Sequence, residues 1–428
     1  MIFYKETKFQ ETSIGRFPKE WNVVILEDIC EKVRAGGTPL TSKKEYWNGD
    51  LPFVKIEDIT LAGKYLTATK SFISKEGLSN SNAWLVPENS LLFAMYGSMG
   101  EVSINKIPVT TNQAILGIIP KDKDDAEFLY YWFSFFKPRW RKYAKPTTQA
   151  NLTAEIVRNS MIPLPSKRER QEIAKVLGVV DSVIAKTGEV IAKTERLKKG
   201  LMQTLLTRGI GHKEYKQTPI GTIPKEWHVT KLGEIIIKLK RGPSKQTNDS
   251  GVGVVYLTSD YITDDGFLIF ENLKFLEENL IDDVDKYLLE PNDVLVNCVN
   301  SVDKIGKVAV FEGYSKRTIV GFNNFALTLA SHVNPFFLKY VLLQDRYKAI
   351  FRSIGKAAVQ QVSFSSKDLL RVEVPIPQSM SEQEEIVAVL STIDKKLRIE
   401  KNEKIKFERI KRSLMDLLLT GKIRVKVD

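Results

Sequence analysis

The stretch that decides the fold is Ile14-Gly15-Arg16-Phe17-Pro18-Lys19-Glu20-Trp21, because the chain contains it twice. It recurs 206 residues later as Ile220-Gly221-Thr222-Ile223-Pro224-Lys225-Glu226-Trp227, and the two copies agree at six of their eight positions. A second match follows in the same order, since Leu201-Met202-Gln203-Thr204-Leu205-Leu206-Thr207 recurs 213 residues later as Leu414-Met415-Asp416-Leu417-Leu418-Leu419-Thr420. Collinear matches at nearly constant offsets indicate that the chain consists of two copies of one structural unit.

The first part of each copy has the mixed pattern of an α/β globular domain. Short runs of β-forming residues, such as residues 84–96, alternate with turn signals such as Asn48-Gly49-Asp50. Near the end of each copy lies an aromatic segment that we interpret as helical, at residues 128–143 and 336–351. These features predict two similar globular domains, at residues 1–160 and 211–374.

The second part of each copy is a long stretch in which apolar or small residues recur at alternating spacings of four and three. No proline interrupts either stretch for about 35 residues, whereas a mean helix has about 11 to 12. Lys, Arg and Glu fill the flanking positions, as in a coiled coil. The pattern predicts one long helix within residues 161–210 and another within residues 375–428. The predicted seam is formed by Ile173, Leu177, Ile184, Leu201, Leu205, Ile386, Leu390, Ile393, Leu397, Leu414 and Leu418, with Leu197 and Ile410 in the same pattern.

The connections between these parts predict how the helices run. A short link at residues 208–216 joins the far end of the first helix to the second domain, so the second helix must return toward the first domain. Residues 171–206 would span about 54 Å as a helix. The predicted fold class is therefore α+β: two similar mixed α/β domains separated by two long antiparallel helices that form a coiled coil, with an internal pseudo-twofold repeat.

Composition narrows the classes of protein that fit. The chain has a formal charge of +12, with 43% hydrophobic and 27% charged residues, as in folded proteins rather than disordered ones. No run approaches the roughly 18 apolar residues of a membrane span, and residues 1–13 lack the apolar core of a signal peptide. We therefore expect a cytoplasmic protein without a membrane partner. Two cysteines and three histidines lie far apart in the sequence, which disfavours a metal site of these residue types.

The positive charge favours an anionic partner such as nucleic acid, although charge alone does not decide this. Two related domains on a rigid spacer suit DNA, whose equivalent major-groove faces recur about every 34 to 36 Å. Within residues 137–151, cations surround two aromatic residues and are followed by Thr, Gln and Asn. Cations neutralise phosphates, while Gln, Asn and Thr read base edges. A solvated surface loop explains any one such segment equally well, but the recurrence of Gln149 as Gln361 favours that pair.

The candidate DNA-contacting residues come from several loops of both copies. In the first copy they are Lys43, Lys44, Tyr96, Ser98, Arg139, Arg141, Lys142, Thr148, Gln149 and Asn151. In the second copy they are Arg241, Lys245, Asn300, Lys304, Arg352, Lys356, Gln360 and Gln361. The aromatic residues Trp132, Phe133, Phe136 and Trp140 are predicted to belong to the core rather than to stack on bases.

Catalytic motifs are missing from the sequence. There is no phosphate-binding GxxxxGK[ST] and no GxSxG nucleophile elbow. Asn334-Pro335-Phe336 lacks the second proline of an adenine-methyltransferase NPPF-type motif and opens a helical pattern instead. The sequence therefore predicts that this chain is not itself an enzyme, with no catalytic residues, metal or cofactor of its own.

The whole chain resembles the specificity subunit of type I restriction-modification enzymes. The resemblance lies in the repeated octapeptide, in residues 36–59, in Thr110-Thr111-Asn112-Gln113-Ala114, and in the Pro-x-Pro segment and helix that close each copy. It implies two target-recognition domains, each reading one half of a bipartite DNA sequence across an unread spacer. It further implies that the helices dock two modification subunits and that the complex recruits restriction subunits. The partners implied are double-stranded DNA, the modification (methyltransferase) subunits and the restriction subunits.

The resemblance also assigns the cofactors to the partner subunits. S-adenosylmethionine would serve adenine methylation, and ATP and Mg²⁺ would serve restriction. The family has no short motif that marks base-reading residues, so none is transferred to this chain. The second copy lacks a counterpart of Tyr46-Trp47-Asn48-Gly49-Asp50 and has Gln246-Thr247-Asn248-Asp249-Ser250 nearby. This difference predicts two unlike half-sites and an asymmetric target.

Two other functions fit parts of the sequence. A protein-assembly scaffold with two repeated binding domains would show no salt-dependent DNA binding, whereas phosphate neutralisation makes affinity fall steeply with salt. A self-contained DNA enzyme with an unfamiliar site would transfer methyl groups or cleave DNA without partners, which the missing motifs disfavour.

Overall fold

The computed structural model describes residues 2–144, 151–357 and 361–426. The chain forms two compact units. Unit 1 comprises residues 1–188 and 402–428, and unit 2 comprises residues 189–401. Each unit therefore contains one globular domain and segments of both long helices. The units do not coincide with the two sequence copies, because the end of the second helix belongs to unit 1.

The elements of the first copy begin with short antiparallel strands and end in a long helix. The described strands are β1 Ile2–Lys5, β2 Phe9–Thr12, β3 Gly15–Pro18, β4 Asn22–Ile25, β5 Cys30–Ala35, β6 Trp47–Val54, β7 Tyr65–Leu66, β8 Ser71–Ile73, β9 Leu91–Ala94, β10 Val102–Asn105, β11 Thr110–Thr111, β12 Ile115–Pro120 and β13 Met161–Leu164. The described α-helices are α1 Ile56–Ala62, α2 Lys75–Ser79, α3 Asp125–Phe136, α4 Ala154–Arg158 and α5 Lys167–Arg208, with 3-10 helices at Leu26–Ile29, Lys44–Tyr46 and Lys137–Lys142.

The second copy repeats this order. Its described strands are β14 Tyr215–Thr218, β15 Gly221–Pro224, β16 His228–Lys231, β17 Ile236–Arg241, β18 Val254–Leu257, β19 Phe275–Leu276, β20 Val294–Asn297, β21 Val299–Asn300, β22 Val308–Val310, β23 Thr318–Val320, β24 Asn324–Leu329, β25 Lys356–Ala357, β26 Val362–Ser363, β27 Glu373–Ile376 and β28 Ile423–Lys426. Its described α-helices are α6 Leu232–Ile235, α7 Pro335–Leu342, α8 Asp345–Ile354, α9 Ser366–Leu370 and α10 Met380–Leu419, with 3-10 helices at Ser259–Tyr261, Glu278–Leu280 and Val284–Lys286.

Unit 1 is built on a five-stranded sheet in the order β5-β12-β9-β10-β7. All four residues of β9 are buried, as expected for a central strand covered on both faces. Helix α3 contributes to the core of this domain, and Trp132, Phe133, Phe136 and Trp140 are buried there, which confirms their core assignment. A second sheet, β11-β6-β8, lies beside it, and the two chain ends meet where β1 pairs with β28.

Unit 2 repeats the main sheet as β17-β24-β20-β22 and the second sheet as β19-β18-β23, and it also contains the small sheet β21-β26-β25. The aromatic segment predicted as one helix over residues 336–351 forms two helices, α7 and α8. The break occurs because Gln344 adopts an extended conformation, with φ −63° and ψ 145°.

The predicted turn at Asn48-Gly49-Asp50 lies inside strand β6. The pairing of β6 with β8 shifts register between Trp47 and Leu51, and Asn48 has a φ of 58°. The turn-forming residues therefore make a bulge rather than a chain reversal.

The long helices are confirmed, with 42 residues in α5 and 40 in α10. In unit 2, Thr194 contacts Glu400 and Lys198 contacts Asp394, so the two helix segments run antiparallel there. Across the described residues, no helix combines the length and apolar character needed to cross a membrane.

The predicted seam residues fall into two environments. Those near the domains are buried in the domain cores, whereas several of the others are only half-buried. Leu197 is 53% exposed and Ile410 is 47% exposed, so their assignment to the seam was wrong. In unit 2 the inward position next to Leu197 belongs to Lys198, whose ammonium pairs with Asp394. The buried seam residues are Ile173, Leu177, Ile386, Leu390, Leu397 and Leu418, and the half-buried ones are Ile184, Leu201, Leu205, Ile393 and Leu414.

Candidate nucleic-acid interface

In unit 1 several predicted residues meet at the end of strand β9. The Leu152 backbone N–H donates to the carbonyl of Met95, at 3.2 Å, which brings Asn151 beside the loop that follows β9. Gly100 in this loop packs against the 3-10 helix, since a Cβ at Gly100 would lie 2.9 Å from Trp140 Cδ1. We call this surface the unit 1 edge. It comprises Tyr96, Ser98, Arg139, Arg141, Lys142 and Asn151.

The cations of the unit 1 edge differ in how tightly they are held. The guanidinium of Arg139 lies 4.6 Å from the centroid of the Phe135 ring. Arg141 and Lys142 are exposed and form no ion pair with any residue that the structure describes. A cation without an internal ion pair can contact a phosphate without first breaking such a pair. Thr148 and Gln149 lie outside the described residues.

Two polar atoms beside these cations are buried without a hydrogen-bond partner in the described structure. They are Oδ1 of Asn151 and Nε1 of Trp140. Buried polar atoms ordinarily form a hydrogen bond, and these two form none with the described residues.

Lys43 and Lys44 are exposed in another part of unit 1, where a loop leads into the 3-10 helix Lys44–Tyr46. The loop begins at Gly36, where only glycine fits because a Cβ would lie 2.0 Å from the carbonyl oxygen of Thr111. Thr38 then donates to the Gln113 side chain, at 2.6 Å. A hydrogen bond with Tyr46 raises the pKa of Lys43, which keeps its ammonium charged.

In unit 2 the small sheet β21-β26-β25 gathers another set of predicted residues. Asn300 pairs with Val362, and Lys356 pairs with Ser363. The Arg352 side chain reaches the same place, because its Nε donates to the carbonyl of Val302 at 3.2 Å. We call this surface the unit 2 edge. It comprises Asn300, Lys304, Arg352, Lys356 and Gln361, all exposed except the half-buried Asn300.

Arg241 joins the unit 2 edge from the main sheet. Its Nε donates to the carbonyl of Phe322, at 2.7 Å, and the next residue, Asn323, accepts from the Val299 backbone N–H at 3.3 Å. Lys245 is exposed on the loop after β17, and no contact among the described residues connects it to this edge. Gln360 lies outside the described residues.

The sequence reasoning missed a network of amides beneath the unit 2 edge. The buried Asn297 side chain donates to the carbonyls of Val299 and Asn323, at 3.0 and 2.8 Å. Asn300 donates to Asn297 Oδ1 at 3.1 Å, and Asn323 donates to Ser259 Oγ at 2.7 Å. These bonds hold the loop that presents Asn300. The asparagines were visible in the sequence, but nothing local indicated that they contact one another.

Comparison with known proteins agrees with this repeated arrangement. The sequence profile of the type I restriction modification DNA specificity domain matches the chain twice, at residues 18–196 and 224–409. This chain belongs to the type I restriction-modification specificity family. The resemblance drawn from the repeated motifs is therefore confirmed. The family is the non-catalytic specificity component, distinct from the methyltransferase and restriction subunits, and has no catalytic cofactor of its own.

Named relatives match either the full chain or part of it. The specificity subunit of the type I restriction enzyme MjaVIII from Methanocaldococcus jannaschii is 28% identical over 100% of this chain and 98% of its own length. The specificity subunit of the Haemophilus influenzae enzyme HindI is 32% identical over 35% of this chain and 33% of its own length. No group of three or more His, Cys, Asp or Glu side chains in the described ranges is arranged to hold a metal ion.

Solved structures share the fold. The S subunit of a type I restriction-modification system from M. genitalium has a TM-score of 0.58 at 16% identity, covering 95% of this chain and 97% of that one. A chain from a structure addressing complex assembly and conformational transition of the type I system has a TM-score of 0.56 at 18% identity. That alignment covers 95% of this chain and 99% of the other. These likenesses establish the fold of two mixed domains and long helices.

Proposed function

We propose that this chain is the sequence-specific DNA-binding specificity subunit of a type I restriction-modification complex. Residues 1–160 and 211–374 would each read one half of a bipartite, asymmetric target. One repeated arrangement supports this proposal. In each unit, a glycine in the loop after the central strand packs against an aromatic residue, and the next residue in the sequence after that aromatic one is an arginine. In unit 1, Gly100 packs against Trp140, which precedes Arg141. In unit 2, Gly306 packs against Phe351, which precedes Arg352.

The candidate DNA-contacting side chains, both on the two edges and elsewhere, have two roles in this proposal. Cations contact phosphates and position each domain, while uncharged polar groups contact base edges and specify the sequence. The proposed phosphate-contacting residues are Lys43, Lys44, Arg139, Arg141, Lys142, Arg241, Lys245, Lys304, Arg352 and Lys356. The proposed base-reading residues are Tyr96, Ser98, Thr148, Gln149, Asn151, Asn300, Gln360 and Gln361.

The long helices would set the distance between half-sites and dock two modification subunits. Apolar side chains that remain exposed along both helices support docking, since such groups mark protein contacts. They are Val179, Val190, Leu197, Val389, Ile399, Ile405 and Ile410. Restriction subunits would join the same complex in the cytoplasm. S-adenosylmethionine, ATP and Mg²⁺ would be bound by these partners and not by this chain.

A methylome tests the proposal. The chain is co-expressed with its candidate modification subunit, and N6-methyladenine is mapped by single-molecule sequencing, with the chain omitted as a control. We expect a bipartite, asymmetric motif that appears only when the chain is present. Unchanged methylation with an active modification subunit would favour the scaffold instead, and methylation by the chain alone would favour a self-contained enzyme.

Paired variants of the edges sharpen the test. Replacing both Arg141 and Arg352 by Ala should lower methylation of every site, because phosphate contacts carry no sequence information. Lys175→Ala is the matched control, since this exposed lysine lies on α5 and pairs with Glu172 of the same helix. A new motif in the double variant would show that the arginines read bases.

A further inference from the structure

Outside both edges, each unit contains a polar link that joins its globular domain to both long helices. In unit 1, Tyr131 on α3 donates its hydroxyl to Asp181 Oδ2 on α5, at 2.7 Å. The other oxygen of this carboxylate, Oδ1, lies 2.6 Å from Lys411 Nζ on α10. One aspartate thus connects three elements that are distant in the sequence.

Unit 2 contains the same link with the two helices exchanged. Tyr340 on α7 donates to Asp394 Oδ2 on α10, at 2.7 Å, and Lys198 Nζ on α5 lies 2.6 Å from Asp394 Oδ1. Both the aspartates and the lysines are related by the 213-residue offset of the repeat. We call each set of three residues a Tyr–Asp–Lys clamp.

The surroundings of the clamps keep the tyrosines as donors. Tyr131 is 0% exposed and Tyr340 is 1% exposed. Burial, together with the hydrogen bond and charge of the aspartate, raises the pKa of each tyrosine well above its ordinary value. Each hydroxyl therefore stays protonated and forms a charge-assisted hydrogen bond, which depends more strongly on geometry than apolar packing does.

We propose that the two Tyr–Asp–Lys clamps fix the angle at which each reading domain is held on its helix segments and thereby restrict the complex to one spacer length. The inference rests on the proposed function, because only a reader of two half-sites has a spacer. Apolar contacts of the helices with the domain cores hold each domain in place, but they are not directional. A change of one base pair in the spacer alters both the distance and the rotation between half-sites, so a small tilt of either domain changes the accepted spacer.

The test removes the hydroxyls alone. Tyr131→Phe and Tyr340→Phe are made singly and together in the full chain, and each is co-expressed with the modification subunit. Methylome sequencing then measures methylation of sites whose spacer is one base pair longer or shorter. In the double variant we expect methylation of these sites to rise about tenfold relative to sites with the spacer that the wild-type chain selects. This ratio corresponds to ~1.4 kcal/mol. The bases of both half-sites should stay the same.

The matched control is Tyr347→Phe. The hydroxyl of this buried tyrosine donates to the Glu373 carbonyl at 3.0 Å, so the variant loses a similar bond that does not involve α5 or α10. We expect it to keep the wild-type spacer.

A second pair of variants, Lys411→Met and Lys198→Met, breaks each clamp at its ion pair, where the lysine side chains are 23% and 11% exposed. Spacer selectivity that stays within about twofold of wild type in both sets would overturn the inference. Loss of methylation at every spacer in both sets, with Tyr347→Phe active, would overturn it too, since the clamps would then serve folding only. Absence of any bipartite motif with the wild-type chain would instead contradict the proposed function.

Discussion

The two units attach their domains to the helices by related contacts. One of these contacts joins a tryptophan to a glutamate in both units, but its third member differs. In unit 1 the Trp21 indole donates to Glu169 at 3.2 Å, and Arg424 completes the contact with an ion pair to Glu169 at 2.6 Å. In unit 2, the Trp227 indole donates to Glu382 at 3.1 Å. The second partner of Glu382 is the imidazole of His212, at 2.8 Å, rather than a guanidinium. The attachment is thus shared, while the side chain that completes the contact with the carboxylate differs.

The two units differ more in the sheets and loops around their edges than in the attachments of their domains. Unit 1 places an eight-residue strand with a bulge, β6, in the sheet beside its main sheet, whereas the corresponding part of unit 2 has the four-residue strand β18. Among the described residues of unit 1, no amide takes the place of Asn297, because Ala94 ends the matching strand. The comparison shows a repeated attachment beside unlike edges, which is what the proposed reading of two different half-sites requires.

The largest effect that we expect comes from the attachment of unit 1. Arg424→Met leaves the charge of Glu169, whose side chain is 1% exposed, buried beside a reduced set of partners. Removing one partner of a buried ion pair costs about 3–5 kcal/mol. His212→Ala should cost unit 2 less, about 1–3 kcal/mol, because Glu382 is more exposed.

Fluorotryptophan NMR during urea unfolding measures the free energy of unfolding of each unit separately, since five of the six tryptophans lie in unit 1 and Trp227 lies in unit 2. Equal losses in the two variants would contradict the difference that we draw between the attachments.

A second contrast concerns the residue before the clamp tyrosine, which is Tyr130 in unit 1 and Lys339 in unit 2. Burial lowers the pKa of Lys339 to about 8 from 10.5. Between these pH values the unfolded chain binds a proton that folded unit 2 does not, so wild-type stability rises with pH across this window. Lys339→Met should therefore stabilise unit 2 by ~3 kcal/mol at pH 7.

The gain should vanish above about pH 10.5, where the lysine is neutral in both states. Urea unfolding followed at Trp227 at pH 7 and at pH 10.5 checks this prediction. Tyr130→Phe is the control in unit 1 and should leave the signal of Trp227 unchanged. A gain that is the same at both pH values would mean that packing, not charge, is responsible.

The smallest effect is expected at the reading residues. Gln361→Ala should relax only the second half-site, and Gln149→Ala only the first, each by about 1–3 kcal/mol if a bidentate base contact is lost. Competition binding of the assembled complex with oligonucleotides substituted in one half-site measures this. Uniform weakening on all DNA would instead assign these glutamines to positioning.

Local patterns in the sequence were enough for the architecture. The octapeptide at Ile14 and Ile220 showed the duplication, and proline-free stretches with apolar residues at spacings of three and four predicted α5 and α10. The sequence suggested some members of the candidate site but not their grouping. Asn300, Lys304 and Arg352 were chosen as separate loop candidates, and the structure shows that they share one edge. The Asn297 network was missed because its members are spread over residues 259–323.

The sequence by itself determined that two related mixed domains alternate with two long helices, because repeats and helical periodicity depend on neighbours along the chain. Only the tertiary structure decided that each unit takes segments from both helices, that Lys198 rather than Leu197 faces Asp394, and that two clamps exist. Tyr131 and Lys411 meet at one carboxylate although 280 residues separate them. Such contacts depend on how the helices pack on the domains, and side-chain burial and charge pairing are settled only there.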